Sequence, residues 1–301
     1  MPKMKYEQLT FADDFMFCKV LQNHPDLCKE LLELILGHPL GNLIEIGQQE
    51  TIRITEDRKG VRFDIYAKDD QSVVYDVEMQ NAKKADLPRR ARYAQSLMDL
   101  EQLERGANYK ELKQSYVIYI CNFKLFSEYD RSKYTFRTLC LEDTGIELGD
   151  GVERIFLCTE GSGEGISREM QQFLDYVAGN EAGNEFTCEL ENAVRTARRN
   201  ARWRKEFMDL QDYIDDAREE GIRIGHEEGL AEGREEGRAE GRAEGRDEGR
   251  AEGRAEERAN TEKARKSAEK EKALREAAEA EILKLKAQLA ALQSSANWLK
   301  E

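Results

Sequence analysis

Three histidines, six cysteines and no surplus of positive charge set the first limits on this 301-residue chain. His24, His38 and His226 pair with no nucleophile, and each reads as a lone surface residue. No GxSxG, Walker A or HExxH string occurs, so serine-hydrolase, P-loop and zincin chemistry have no footing. Cys18, Cys28, Cys121, Cys140, Cys158 and Cys188 make no CxxC and no short ligand spacing. They read as buried or incidental thiols of a reducing compartment. The opening MPKMKYEQLTFADDF has no apolar stretch after its lysines and does not read as a signal peptide. No run approaches eighteen apolar residues, so no membrane span is expected and the chain reads as cytoplasmic. The formal net charge of −14 argues against nucleic-acid binding by bulk electrostatics. Any DNA reading must rest on local basic patches and on metal ions.

What is present is unevenly spread. Charged residues make up 36% of the chain, and the aromatic and branched residues crowd its first 180 positions. Residues 221–280 are almost entirely Gly, Ala, Glu, Lys and Arg, which implies a globular head and an extended, solvated tail. Residues 11–37 read as one helix closing at Gly37. From 44 to 80 the period changes to two, with strands at Thr51–Thr55, Val61–Ala67 and Val73–Gln80. A helix from about Pro88 to Gly106 follows, its apolar face carried by Tyr93, Leu97, Leu100 and Leu103. SYVIYICNF (115–123) and RIFLC (154–158) read as buried strands, and Ser167 to about Asp216 as helix again. The order α-β-β-β-α-β-β predicts an α/β fold, a mixed sheet with flanking helices.

The sharpest local signal is RFDIY followed by VVYDVEMQ. Strand alternation puts Val73, Tyr75, Val77 and Met79 on one face and Asp76, Glu78 and Gln80 on the other. If the two strands pair through the turn near 68–71, Asp64 lies opposite Asp76 or Glu78. Side chains so placed sit roughly 4.5–8 Å apart, which suits two carboxylates sharing a hard cation. The plainer alternative is the solvent face of a half-exposed hairpin. Against it, facing carboxylates repel unless a cation lies between them, and the flanking residues are apolar enough for a buried sheet.

Five strings in order, FADDFMFCKVL, RFDIY, YDVEMQ, RRARYAQSL and GANYKEL before YVIYICNF, resemble the recombination-promoting nuclease and transposase family of the PD-(D/E)XK nucleases. The resemblance covers about 1–160, and more loosely the helices up to 220. It implies a restriction-endonuclease-like sheet and a Mg²⁺-dependent DNA endonuclease, with another divalent cation as substitute. By that resemblance Asp64 and Glu78 hold the metal, and Gln80 stands where a lysine is usual. Gln80 would orient the attacking water without stabilising hydroxide by charge. A helical acid completes such sites; Asp14, Glu30 and Glu33 qualify, and Asp14 best fits the opening motif.

Lys83, Lys84, Arg89, Arg90 and Arg92 follow the candidate strand directly and are candidate phosphate contacts; the plainer reading is a solvated helix start. Arg195, Arg198, Arg199 and Arg202 fall at i, i+3, i+4, i+7, one basic stripe on a helix with Trp203 beside it. The alternative is pairing with the acidic run Asp212–Glu220. The expected organisation is a nuclease-like domain over 1–165, a helical extension over 166–220, a Gly/Glu/Arg repeat over 221–258 and a helical, short coiled coil over 259–301. Nine glycines recur every fourth residue from Gly221 to Gly253. At roughly 0.8–1.0 kcal/mol each against alanine, they cost a helix on the order of 8 kcal/mol. Alone, this segment should be at most marginally helical. Helix formation coupled to self-association would make it an assembly device, aided by Ile282, Leu285, Leu289 and Leu292; a low-complexity spacer is the alternative. The rival to the enzyme reading is a non-catalytic DNA-binding or scaffolding protein with a vestigial site.

Overall fold

Pro25 decides the first departure from these expectations. A proline ring disfavours helical backbone at the residue before it, and His24 takes φ −131°, ψ 77°. The computed structural model, which describes residues 5–48, 51–52 and 61–298, therefore has two helices in place of one: α1 (Asp14–Asn23) and α2 (Pro25–Leu36). Gly37 ends α2 in the left-handed region at φ 78°, its N–H donating to the Glu33 carbonyl at 2.8 Å.

Among the described residues the strands that follow are β1 (Leu43–Gln48), β2 (Thr51–Ile52), β3 (Val61–Arg62), β4 (Ile65–Asp69), β5 (Val74–Gln80), β6 (Ser115–Cys121), β7 (Lys133–Phe136) and β8 (Val152–Cys158). Six form a mixed sheet in the order β1-β4-β5-β6-β8-β7, with β5, β6 and β8 mutually parallel and the other pairs antiparallel. The α/β architecture with flanking helices is thus the expected one. The strand expected over Val61–Ala67 is split. Residues 61–62 pair with β2 in a separate ribbon, main-sheet pairing begins at Ile65, and Phe63 and Asp64 stand between. Of the strand expected at Thr51–Thr55, residues 53–55 lie outside the described residues. β7, a short edge strand, was not anticipated.

Both faces of the sheet are covered. Tyr75, Val77 and Met79 of β5 share one core with Phe17, Leu21 and Leu31 of α1 and α2 and with the helices α4 (Arg168–Val177) and α5 (Glu185–Arg198), which supply Phe173 and Leu190. On the other face α3 (Leu87–Gln102) lies over Phe63, Val74, Val117 and Tyr119 through Leu87, Ala91, Ala94, Leu97 and Met98. The face expected for this helix was rotated by about one residue. Leu97 is buried, but Leu100 is 57% exposed and the helix ends before Leu103. Two alanines that admit close approach to the sheet mark the true face. Of the cysteines, Cys18, Cys28, Cys121 and Cys158 are buried and Cys188 is exposed.

The helical stretch expected from Ser167 breaks at Gly179, where φ is 98°, and again before α6 (Ala201–Trp298), whose start Asn200 caps by accepting from the Arg202 and Trp203 N–H groups. The chain's early residues are stitched to this late region. The Tyr6 hydroxyl donates to the Ala197 carbonyl at 2.7 Å, Arg198 Nε donates to the Leu9 carbonyl at 2.7 Å, and Lys19 meets Glu206 at 2.6 Å.

The chain divides into units 1–214 and 215–301. In the second, helix runs through the glycine repeat, a segment expected to be at most marginally helical when alone, as part of α6. Once flanking segments are helical, each added residue escapes the nucleation cost, and ion pairs stand at the repeat's start and beyond its end: Arg223 with Glu220 and Glu227 in its first turns, Arg265 with Glu269 after it. At each of the nine glycines from Gly221 to Gly253 an added Cβ would meet nothing within 4 Å. Ile282, Leu285 and Leu289 are exposed; the Leu292 side chain lies outside the described residues. Among the described residues no helix is long and apolar enough to cross a membrane.

Candidate active site

The break between β3 and β4 shapes the site. Carrying the Ile65–Val77 register back one residue sets Asp64 across from Glu78, while Asp76 stands opposite Tyr66. Freed from ladder pairing, the Asp64 N–H donates to Glu78 Oε1 at 3.1 Å, and the Met79 N–H donates to Asp64 Oδ2 at 3.1 Å. Each carboxylate is thereby fixed by backbone of the other's strand. Both are buried, Asp64 at 6% and Glu78 at 3% exposure. The polar face of β5 is therefore no solvent face, since it lies beneath α3.

Burial governs the electrostatics. It pushes Glu78 up to about 8, with Asp64 adding repulsion and the Asp64 N–H and Arg90 opposing. It pushes Asp64 up to about 6, aided by Asp14 and opposed by the Met79 N–H, Arg62 and Arg90. Asp14 is also raised, chiefly by burial and against the pull of Arg62. Asp76 is fully buried, and among the described residues no N–H or O–H donor reaches either carboxylate oxygen. Burial, then Glu78 and Asp64, raise it well above the carboxylate range.

The donor set fits a hard divalent cation. It is all oxygen, its acids repel one another, and Asp76 leaves buried oxygens unpartnered. Among the described residues no three His, Cys, Asp or Glu side chains are gathered as a ready cage. Mg²⁺ needs none, since it keeps several waters and takes one or two carboxylates.

Asp64 and Glu78, with Asp76 buried behind them, line a cleft of about 660 Å³ together with Asp14, Gln80, Arg62, Lys84, Arg89 and Arg90. Asp14 reaches it because Asn81, next to Gln80 at the end of β5, donates to the Ala12 carbonyl at 2.7 Å and to Asp14 Oδ1 at 3.5 Å. Gln80 accepts from Arg90 Nη1 at 3.3 Å and donates its amide to the Met79 carbonyl at 3.1 Å. Of the five basic residues expected beside the site, Lys84, Arg89 and Arg90 line the cleft; Lys83 and Arg92 do not.

Other candidates lie elsewhere. Glu33 accepts the Leu40 N–H at 2.9 Å, and Glu30 faces Glu185 and Glu189. The arginine stripe is not one surface, because α5 ends at Arg198 and Arg199 is its cap. Arg195 pairs with Glu191 and Arg202 with Glu206, each at 3.1 Å, so the acidic run 212–220 is not their partner. None of the four lines the cleft. Arg62, Asn81, Tyr93 and Tyr119 escaped the sequence reading as site residues. Arg62 alone had a signal, as a cation two residues before Asp64.

No curated protein and no solved structure matches the chain. Residues 12–160, which hold Asp14, Asp64, Glu78, Gln80 and α3, match the family model described as PD-(D/E)XK nuclease family transposase. A nuclease or mobile-element role accompanies that match. Through residues 12–160, the chain belongs to the PD-(D/E)XK nuclease family transposases.

Proposed function

We propose that the protein is a divalent-metal-dependent DNA endonuclease serving recombination or a mobile element. The observation that carries this is the reciprocal Asp64–Glu78 pair, buried in a cleft whose rim bears Arg62, Lys84, Arg89 and Arg90. Asp64 and Glu78 would hold Mg²⁺ or a similar cation, with Asp14 as the additional acid. Bound there, the cation supplies a water of lowered pKa and neutralises phosphate charge. In the hydrolysis, the oxygen of water joins phosphorus and one phosphorus–oxygen bond to a sugar breaks. One water proton departs, and the released sugar oxygen takes up a proton. Lys84 and Arg89 anchor the backbone phosphates that flank the reacting one.

In this reading residues 1–165 carry the chemistry, 166–220 extend that domain, and the repeat over 221–258 with the segment 259–301 joins copies of the chain. The empty flank at every glycine and the exposed Ile282, Leu285 and Leu289 support the last point. We place the protein in the cytoplasm, which keeps its buried free thiols reduced. The alternative, a DNA-binding scaffold with a vestigial site, draws support from the net charge of −14. Supercoiled plasmid incubated with Mg²⁺ or with EDTA separates the two. Nicking that needs Mg²⁺ and vanishes in Asp64→Ala and Glu78→Ala supports the enzyme. DNA binding without cleavage under Mg²⁺ or Mn²⁺ supports the scaffold.

A further inference from the structure

We infer that Arg90 supplies the cation that acts on the reacting phosphate, and that Gln80 is a positioning residue whose task is to aim it. The inference rests on the nuclease reading above and reassigns Gln80 within it. Each end of the Gln80 side chain already carries a partner: the amide nitrogen donates to the Met79 carbonyl and the oxygen accepts from Arg90 Nη1. Its side chain is 8% exposed, a bracket closed on one side by its own strand. What that bracket grips is the guanidinium.

Arg90 is well placed to act. It stands in the first turns of α3, its N–H bonded to the Asp86 carbonyl at 3.0 Å, on the face that covers the acidic end of β5. It lines the same cleft as Asp14, Asp64 and Glu78. Its charge favours the ionised form of Asp64, Asp76 and Glu78 alike. A guanidinium has five donors in a rigid fork; with one spent on Gln80, the others remain for a phosphate oxygen. Charge grows on the phosphoryl oxygens as water attacks, and a fixed cation there stabilises the transition state more than the ground state. Arg89, the next residue, turns about 100° away on the helix and serves the flanking backbone instead.

The test is a cycle in the full-length protein: R90Q, Q80A, Q80A/R90Q and Q80K/R90Q. Single-turnover plasmid nicking and Mn²⁺ affinity by calorimetry at pH 8.5 are both measured. R90Q should slow cleavage roughly a hundredfold with little change in DNA affinity. Q80A should slow it less, and should add nothing in the R90Q background. Q80K/R90Q should recover at least tenfold over R90Q, because an ammonium then reaches the place the guanidinium held. Taking a cation from beside the carboxylates should also tighten Mn²⁺ several-fold in R90Q, and partly in Q80A. Losses from Q80A and R90Q that multiply, or a Q80K/R90Q protein as slow as R90Q, would overturn the assignment. If the wild-type protein cleaves nothing with any divalent cation, the nuclease reading fails by itself. The Arg90–Gln80 coupling is then decided by Mn²⁺, and unchanged affinity in both single variants would overturn it.

Discussion

Glu78→Gln should make the metal-free protein more stable while depriving it of its metal. Burial first, then Asp64, raises the Glu78 carboxyl from 4.5 to about 8. The sign follows from proton counting. Between those values the folded chain keeps a proton that the unfolded chain has released, so stability is full below 4.5 and is lost as pH rises towards 8. At 1.36 kcal/mol per unit, the 3.5-unit gap amounts to about 5 kcal/mol, an upper figure because Asp76 and Asp64 share the same repulsion. A glutamine has no proton to lose, nearly the same volume, and an oxygen able to accept the Asp64 N–H that Glu78 accepts at 3.1 Å. Its amide hydrogens would face Asp76 and Asp64, acids that at present face a third. In urea with EDTA, followed by tryptophan fluorescence, E78Q and wild type should unfold together near pH 4.5 and diverge steadily to pH 8, with E78Q ahead by several kcal/mol. Adding Mg²⁺ at pH 8 should raise the wild type and leave E78Q unmoved. An E78Q protein less stable than wild type at pH 8 without metal would refute the account, as would parallel pH curves.

The other predictions concern parts of the molecule that can be separated. Asp64→Ala should abolish Mg²⁺-dependent nicking while circular dichroism stays unchanged; retained nicking would remove Asp64 from the site. Replacing Lys84 and Arg89 by Gln should lower the slope of log affinity against log salt by up to about 2, one per lost phosphate contact, and an unchanged slope would make them solvated surface. Arg198→Gln, which loses the bond to the Leu9 carbonyl, should destabilise by about 1–3 kcal/mol, whereas exposed Arg202→Gln should stay within roughly 0.5 kcal/mol; equal effects would contradict the pairing described. Alanine at Gly233, Gly237 and Gly241 should raise helicity, each by about 0.8–1.0 kcal/mol of propensity, yet weaken self-association in sedimentation. Association that strengthens along with helicity would show that the glycines are not a contact surface.

Much of the candidate site could be read from strand alternation. The two-residue period places Glu78 and Gln80 on the face opposite Tyr75 and Val77, and the opening motif singles out Asp14. What alternation cannot carry is what covers that face: the apolar flanks argued for a buried sheet, but the helix over Asp76 packs through Ala91 and Ala94, small residues that the expected stripe of Tyr93, Leu97, Leu100 and Leu103 passed over. Arg62 and Asn81 were missed for a related reason, since each acts across elements and local pattern reports only neighbours along one. The arginine stripe failed through its own regularity. The i, i+3, i+4, i+7 spacing holds only while helix continues, and Asn200, capping α6 through its side chain, ends that continuity. Pro25 was the opposite case, a local signal present in the sequence and overridden by the apolar periodicity on either side of it.

The stitching of Tyr6, Leu9 and Lys19 to Ala197, Arg198 and Glu206 has a temporal consequence. The helix that bears Asp14 is held by residues translated almost last in its unit. At 5–20 residues per second, ribosomal synthesis takes roughly 10–40 s to travel from the first of these partners to the second. Until α5 has emerged, Phe17, Leu21 and Leu31 lack part of the cover they have in the finished fold. The residues that line the cleft, Asp14 to Tyr119, are thus translated well before the segment that steadies the N-terminal region, and a fragment cut at the family boundary near residue 160 would lack that support.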